Sequence, residues 1–536
     1  MQGVLDWIER VGNKVPNPVM MFLYLIGLII VLSFILDLIG VEVTELIAEP
    51  VPVEQTPSYY EDSSQPIYEN QNYVDPKFEL VEQTIGIRSM LTVDGIRYIF
   101  STFVTNFQGF GVVAVAFIAM LGAGAAEGAG LMGALIRKLV AAAPASLITF
   151  LIVLVGAISS IASDAGYLIL IPLAASAFYV LGRNPLAGMA AGFAGVAGTF
   201  AANIIPQPID AMMVEVANEA IALGGGESMS VVSNYYFAAV SMVVMCIVIT
   251  FVTEKVIEPS LGKYDPSQAS EGAIEEELSP EAKAAEARGL RFALFGFLGV
   301  LAVVLALTLP SGAPLRDPVD GNIIGTTPFM DSLLFIITLF FLVSGVAYGV
   351  GAGTVKSADD VIGFVTKTFQ GLGGLIFMFL MIAQFIAYFN WTNMPRVAAV
   401  AMADLLERAN IAALPLLIGF IIVIFILDFI IPGVIPKWAI FAPVFIPIFM
   451  RLDVAPQTVL AAYRVGDSPV NQLTPLMVYL PFIVTVAQRY KKDSGIGTII
   501  SLMLPFAIAI AVSWTLLFAI WFLLDIPLGP GYPIAN

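Results

Sequence analysis

LITFLIVLVGAISSIASDAGYLILIPLAASAFYVL, residues 147–181, decides the fold. Two apolar runs, 147–159 and 167–181, flank the small and polar segment SIASDAG (160–166). A bilayer core about 30 Å thick needs about 20 apolar residues in one continuous helix, and each arm is shorter than that. Short arms around a polar tip describe a re-entrant hairpin, whose non-helical backbone is tolerated only where protein or water covers it. The pattern returns at LLIGFIIVIFILDFIIPGVIPKWAIFAPVFIPIF (416–449), with arms 416–431 and 440–449 around PGVIPKW. After each hairpin comes a helix that prolines and polar residues interrupt, at NIIPQP (203–208) and at RVGDSPVN (464–471). Proline inside a helix removes a backbone hydrogen bond and clashes with the preceding turn. Matching interrupted segments in two halves point to a transporter binding site near the bilayer midplane.

Working outward, uninterrupted apolar runs occupy 18–38, 111–126, 235–251, 292–309, 333–350, 372–388 and 499–523. With the interrupted helices at 185–222 and 456–490, these predict an all-α integral membrane protein with nine spans and two re-entrant hairpins. The organisation expected is an N-terminal repeat over 1–252, a charged cytoplasmic connector over 253–291 and a C-terminal repeat over 292–536. Residues 41–94 form a polar, acidic external loop. Placing Arg10, Lys14, Arg137, Lys138, Lys255, Lys263, Lys356, Lys367, Arg489, Lys491 and Lys492 inside satisfies the positive-inside rule. The N-terminus is then cytoplasmic, the C-terminus external, and the two halves are inverted. Arg396, Arg408 and Arg451 fall outside, against the rule.

Composition agrees. Of 536 residues, 59% are hydrophobic and 12% charged, against about 25% charged in soluble domains. The net charge of −17 excludes a nucleic-acid partner, which demands a basic face. Cys246 is the single cysteine, and there is no histidine. A disulfide framework and a histidine proton shuttle are therefore excluded, and proton coupling would fall to carboxylates. Neither a Ser-Lys pair nor paired catalytic aspartates are evident, so no enzyme is expected and no cofactor beyond a coupling ion such as Na+.

A helix broken within the membrane exposes amide donors to anions and carbonyls to cations. Ser160, Ser163, Asn203, Ser468 and Asn471 add neutral oxygens; capping the broken ends is the commoner use of such residues. The Na+ ligands expected are Ser163 and Asn203 in one half, and Asp467 and Asn471 in the other. Charges inside a membrane default to function, which singles out Asp164, Arg464 and Asp467. Arg464 and Asp467 are three apart, so they can pair with each other on a helix. Alternatively Arg464, placed at the break among freed backbone donors, clamps a substrate carboxylate. Trp438 stacks on an aromatic substrate or packs. Asp428 is a candidate proton carrier without a partner, while Asp331 and Trp391 read as interfacial.

The stretches WIERVGNKVPNPVMMF (7–22), ASDAGYLILIPLAA (162–175), GRNPLAGMAAGFAGVAGTFAANI (182–204), KWAIFAPVFIPIFM (437–450) and AAYRVGDSPVNQLTPLMVYLPFI (461–483) resemble the AbgT family of p-aminobenzoyl-glutamate transporters. That resemblance covers nearly the whole chain. It implies a homodimer in the bacterial inner membrane that moves p-aminobenzoyl-glutamate or sulfonamide-type antimetabolites with an ion gradient. A simpler carboxylate or dicarboxylate is the alternative substrate. Substrate-pathway roles carry over onto Asp164, Trp438, Pro456, Arg464, Asp467 and Pro475. Two departures touch the pocket. Many relatives have a small hydroxyl residue where this chain has Ile435, and AANIIPQPIDAM (201–212) also differs from the usual pattern.

Overall fold

The computed structural model describes residues 18–50, 78–141, 144–159, 166–265, 279–324, 327–409, 412–429, 433–474, 477 and 479–534. The first hairpin tip with Ser160, Ser163 and Asp164, and also Pro432 and Pro475, lie outside the described residues. The chain is helical almost throughout. Helix α1 (Pro18–Ile39) leads into an antiparallel pair, β1 (Glu42–Pro50) and β2 (Phe78–Gly86), in register from Glu42 opposite Gly86 to Pro50 opposite Phe78. There follow α2 (Val93–Gln108), α3 (Val112–Ala129), α4 (Leu131–Ala141), α5 (Ile148–Ser159) and α6 (Ile171–Val180). Then come α7 (Pro185–Phe193), α8 (Pro208–Gly224) and α9 (Tyr235–Val252). The second half contains α10 (Pro280–Thr308), α11 (Leu333–Ala352), α12 (Ala358–Gly371), α13 (Gly373–Trp391) and α14 (Met394–Ala409). It closes with α15 (Ala413–Asp428), α16 (Val434–Met450), α17 (Pro456–Asp467), α18 (Leu480–Tyr490) and α19 (Ile496–Leu523).

Among the described residues seven helices are long and apolar enough to cross a membrane, and they overlap the seven uninterrupted runs of the sequence. Helices α5, α6, α15 and α16, which fall on the arms of the two expected hairpins, are shorter. The order of elements recurs between halves. A surface helix with one apolar face (α2, α12) precedes a span (α3, α13), a short helix (α4, α14), two short apolar helices, an interrupted helix and a last span (α9, α19).

The structure adds detail to the sequence reading at four places. The polar segment 41–94 contains the strand pair and the start of α2. Helices α2, α12 and α14 went unforeseen, since their polar faces dilute the apolar signal that marks a span. In the connector, Ser-Pro-Glu (279–281) reads as a helix start, and the structure has one there. Ser279 caps Pro280, its hydroxyl accepting from Ala282 N at 3.2 Å, and one helix then runs through to Thr308. Finally, Arg464 and Asp467 do not lie in the second break. They occupy the last turns of α17, and the helical path is lost only after the 3-10 turn Ser468–Val470, where Pro469 lacks an N–H.

Packing separates a lipid-facing rim from a dense centre. Only 17% of the α1 window and 11% of the α10 window are buried, whereas every residue of Pro185–Gly198 and of Pro456–Val470 is buried. Lipid gives apolar helices little reason to associate, so small residues that allow close backbone approach do the docking. On α3, a Cβ at Gly122 would lie 2.4 Å from Thr338 O of α11. At the centre, a Cβ at Gly195 would lie 2.9 Å from Val153 O of α5.

Candidate functional site between the two helix breaks

The two interruptions lie against each other. Helix α7 continues as a π turn, Ala194–Gly198, and the chain then runs non-helically to α8. After α17 and its 3-10 turn, the second path resumes as a helix at Leu480. Ala201 N donates to Ser468 Oγ at 3.1 Å, tying one break to the other. Arg464 Nη1 donates to Ala201 O at 3.3 Å and forms a salt bridge with Asp210 in the first turn of α8. Asp210 also accepts from Gln207 N at 2.7 Å, so it caps α8 and neutralises a guanidinium from the other half. Arg464 is 3% exposed. The expected Arg464–Asp467 pair is not formed; each finds a partner elsewhere.

Asp467 belongs to a second buried network. Its Oδ1 lies 2.7 Å from Lys437 Nζ on α16, and Lys437 also pairs with Asp428 at the end of α15. All three side chains are 0% exposed. Tyr463 Oη donates to Val434 O at 2.6 Å and reaches Asp467 Oδ1 at 3.3 Å. The cluster therefore fastens both arms of the second hairpin to the interrupted helix. Asp428, without a partner in the sequence reading, thereby acquires one. Lys437 was overlooked as a charge because it sits inside an apolar run beside Trp438. Trp438 is itself fully buried, with its Nε1 donating to Met213 O at 2.8 Å and its ring 4.5 Å from that of Tyr463. In this state it packs and faces no open space.

A cavity of about 420 Å³ opens between these elements. Both interrupted helices line it (Phe200, Gln207, Met212 and Asn471), as do the hairpins (Tyr167 and Gly433–Pro436) and α13 (Leu375 and Met378). Tyr167 and Tyr479, from different halves, stack on its wall with centroids 4.4 Å apart and planes 12° apart. Two helix N-termini border this cavity: α8, which begins after Gln207 and is closed by the Asp210 carboxylate, and α16, which begins after Gly433, whose φ of +94° suits glycine. No side chain caps the first turn of α16. A helix N-terminus carries free N–H groups and a partial positive charge, so the uncapped start of α16 offers an anion donors beside the aromatic wall. Arg464, at the C-terminal end of α17, sits instead where carbonyls are freed; the uncapped donors belong to α16.

A larger chamber of about 970 Å³ contains Pro456, Gln457, Asn218, Glu215, Glu227 and Asp331, with the chain end at 530–533. Its three carboxylates face an anion with like charge, so it reads as a vestibule. The expected site residues thus scatter. Asn471 lines the cavity, Pro456 the vestibule, and Trp438, Arg464 and Asp467 lie behind the walls. Asn203 is buried, its Nδ2 donating to Ala157 O at 2.8 Å and its Oδ1 accepting from Ile205 N at 3.1 Å. That is the capping role. Tyr167, Gln207, Asp210, Lys437 and Tyr479 were missed. Asp210 resembles any acid in a first helical turn, and the tyrosines meet only after both halves fold.

Comparison with known proteins gives one answer. The model of the "AbgT putative transporter family" matches residues 3–536. The p-aminobenzoyl-glutamate transport protein of Escherichia coli (strain K12) is 32% identical over 529 residues, spanning 98% of this chain and 96% of that protein. The crystal structure of the Alcanivorax borkumensis YdaH transporter superposes with a TM-score of 0.82 at 31% identity, over 96% of this chain and all of that one. Neisseria gonorrhoeae MtrF, described among antimetabolite efflux pumps, superposes with a TM-score of 0.84 at 34% identity, over 99% of this chain and all of that one. A full-length family match, whole-chain relatives above 30% identity and the paired helix breaks agree: this chain is a membrane transport protein of the AbgT family.

Proposed function

We propose that the chain carries p-aminobenzoyl-glutamate-like or sulfonamide-type aromatic anions across the bacterial inner membrane, driven by a Na+ or H+ gradient. One observation carries this reading: the 420 Å³ cavity walled by the Tyr167–Tyr479 stack, with the uncapped N-terminus of α16 beside it. That volume falls within the roughly 300–1,000 Å³ range of small-molecule sites, where apolar walls and a few polar groups set orientation. An outer face of the tyrosine stack suits an aryl ring, and the N-terminus of α16 suits a carboxylate. The names of the Escherichia coli relative and of MtrF favour the same substrate class. Arg464 supplies the countercharge from behind the wall, exchanging Asp210 for a substrate carboxylate as the protein changes state. Hairpins 147–181 and 416–449 are re-entrant in this reading, entering from opposite faces. The N-terminus is cytoplasmic and the vestibule external. The homodimer belongs to the same proposal and is checked by the molar mass in detergent.

The test is uptake of labelled p-aminobenzoyl-glutamate into proteoliposomes, with Na+ and pH gradients imposed separately. Saturable, gradient-dependent accumulation is expected. Absence of accumulation under both gradients, with binding only of small aliphatic dicarboxylates, would favour the simpler-carboxylate alternative.

A further inference from the structure

We propose that an apolar cavity between α4, α5, α10 and α11 is a lipid site, taking one acyl chain of an anionic phospholipid whose phosphate is received by Lys138. This second cavity, also about 420 Å³, shares no lining residue with the substrate cavity. Its walls are Leu131 and Leu135 of α4, Val155 of α5, Phe297 of α10 and Phe340 of α11, with Ile205 from the first break. Four residues that line it also face outward: Leu135 is 38% exposed, Leu139 45%, Ile205 41% and Phe297 44%. The cavity therefore opens sideways onto the bilayer, continuous with the lipid-facing rim to which α10 belongs. Among the described residues its polar side chains are Ser159 and Ser344, and Ser159 Oγ already donates to Gly156 O at 2.8 Å. An apolar cavity of this kind stays dry, and empty space would leave its wall without dispersion partners. An acyl chain is the apolar matter that the bilayer supplies at its mouth.

Lipid tails differ little in apolarity from leucine, so choosing one lipid over another needs a charge, and α4 provides it. Leu131, Leu135 and Lys138 follow an i, i+4, i+7 spacing and share one face of that helix. Lys138 thus continues the cavity wall into the last turn of α4, where it is exposed. Two neighbouring cations are already engaged. Arg137 forms a salt bridge with Glu286, and Arg288 Nε donates to Gly351 O at 2.6 Å. Lys138 has no ion-pair partner among the described residues. Arg291, exposed on α10, adds positive charge six residues before Phe297 of the cavity wall. A lysine can sit at a helix C-terminus for the sake of the dipole alone. What distinguishes Lys138 is its alignment with an apolar wall that is open to the bilayer. A chain seated there bridges α5 and the first break to the spans α10 and α11. It therefore stabilises the arrangement seen here over one in which these elements separate.

Phosphatidylglycerol carrying a diazirine in one acyl chain, added in trace to phosphatidylcholine proteoliposomes of the full chain, tests the site without any transported substrate. Mass-spectrometric mapping should place cross-links on residues 131–139 and 337–344 about tenfold above those on α1, a span that lipid also contacts. Excess unlabelled phosphatidylglycerol should remove them, although the phosphatidylcholine bulk does not. Lys138→Gln should weaken this labelling about fivefold, the loss of one cation acting on an anionic lipid. Ser344→Leu should abolish it, because the larger side chain fills the floor and replaces a buried hydroxyl that has no hydrogen-bond partner among the described residues. If Ser344→Leu fails to fold, the change at the exposed Lys138 still decides. Even labelling of α1 and α4, or labelling unaltered in Lys138→Gln, overturns the proposal. Equal labelling by a diazirine phosphatidylcholine overturns it too, since the site would then hold a chain without regard to charge. An unlabelled cavity, the result if a second copy of the chain covers its mouth, does the same.

Discussion

The helices leading into the two breaks show what the two halves share and where they differ. Into the first run PLAGMAAGF and AGVAG, all small or apolar and without charge. Into the second runs PQTVLAAYRVGD, equally buried but carrying Tyr463, Arg464 and Asp467. Around the first break, amides and hydroxyls are satisfied by nearby backbone, as when Thr199 Oγ1 donates to Gly195 O at 2.6 Å. Around the second, guanidinium, ammonium and carboxylate groups cross-link separate elements. The scaffold is repeated while the electrostatics are not. Among the described residues the first half contributes geometry and one essential counterion, Asp210. The second half contributes Asp428, Lys437, Arg464 and Asp467, all buried.

The sharpest way to break this comparison is to remove one charge from the second half. Lys437→Met should destabilise the protein by about 3–5 kcal/mol, because two buried carboxylates lose their cation. Asn203→Ala in the first half should cost about 1–3 kcal/mol, the penalty of buried groups left unpaired. Thermal unfolding of both variants in detergent checks the order, and a larger loss for Asn203→Ala would reverse the assignment of roles.

Arg464 comes next. Replacing it by Ala should weaken substrate affinity by about tenfold to a hundredfold, the equivalent of about 1.5–3 kcal/mol for a charge-assisted bond. Arg464→Lys should recover only part, having lost the planar fork. The double change Arg464→Ala with Asp210→Ala sharpens the point. Restored folding without restored binding fits a clamp, whereas recovery of both would make Arg464–Asp210 a purely structural pair.

Gly195→Ala probes the close approach that the first half uses in place of charge. Its Cβ would sit 2.9 Å from Val153 O, and overpacking of this kind costs about 1–3 kcal/mol. The smallest effects belong to the matched surface helices. Thr92 caps α2 by accepting from Gly95 N at 3.1 Å, and Ser357 caps α12 in a box with Asp360. Alanine at either position should cost about 1 kcal/mol and leave transport unchanged.

The spans and short hairpin arms were legible because apolar run length is a one-dimensional signal. The second break was placed too early, since Arg464 and Asp467 look like breakers of an apolar helix until their buried partners are known. Those partners lie far away in sequence: Asp210 is 254 residues from Arg464. No local pattern reports such a pairing. Lys437 was hidden for a related reason: next to Trp438 it reads as part of a motif, and only burial between two carboxylates reveals it as a charge in use. The Tyr167–Tyr479 stack likewise has no signal in either half alone.

The central claim, that the small cavity and not the vestibule holds the substrate, is tested most directly by counterflow of labelled p-aminobenzoyl-glutamate in proteoliposomes containing Tyr479→Ala or Glu227→Ala. Tyr479 forms the aromatic wall, and Glu227 lines the larger chamber. Loss of aromatic contact worth about 0.5–1.5 kcal/mol should weaken apparent affinity by about twofold to tenfold in Tyr479→Ala and leave Glu227→Ala unchanged. Weakened binding in Glu227→Ala with unaltered binding in Tyr479→Ala would contradict the account.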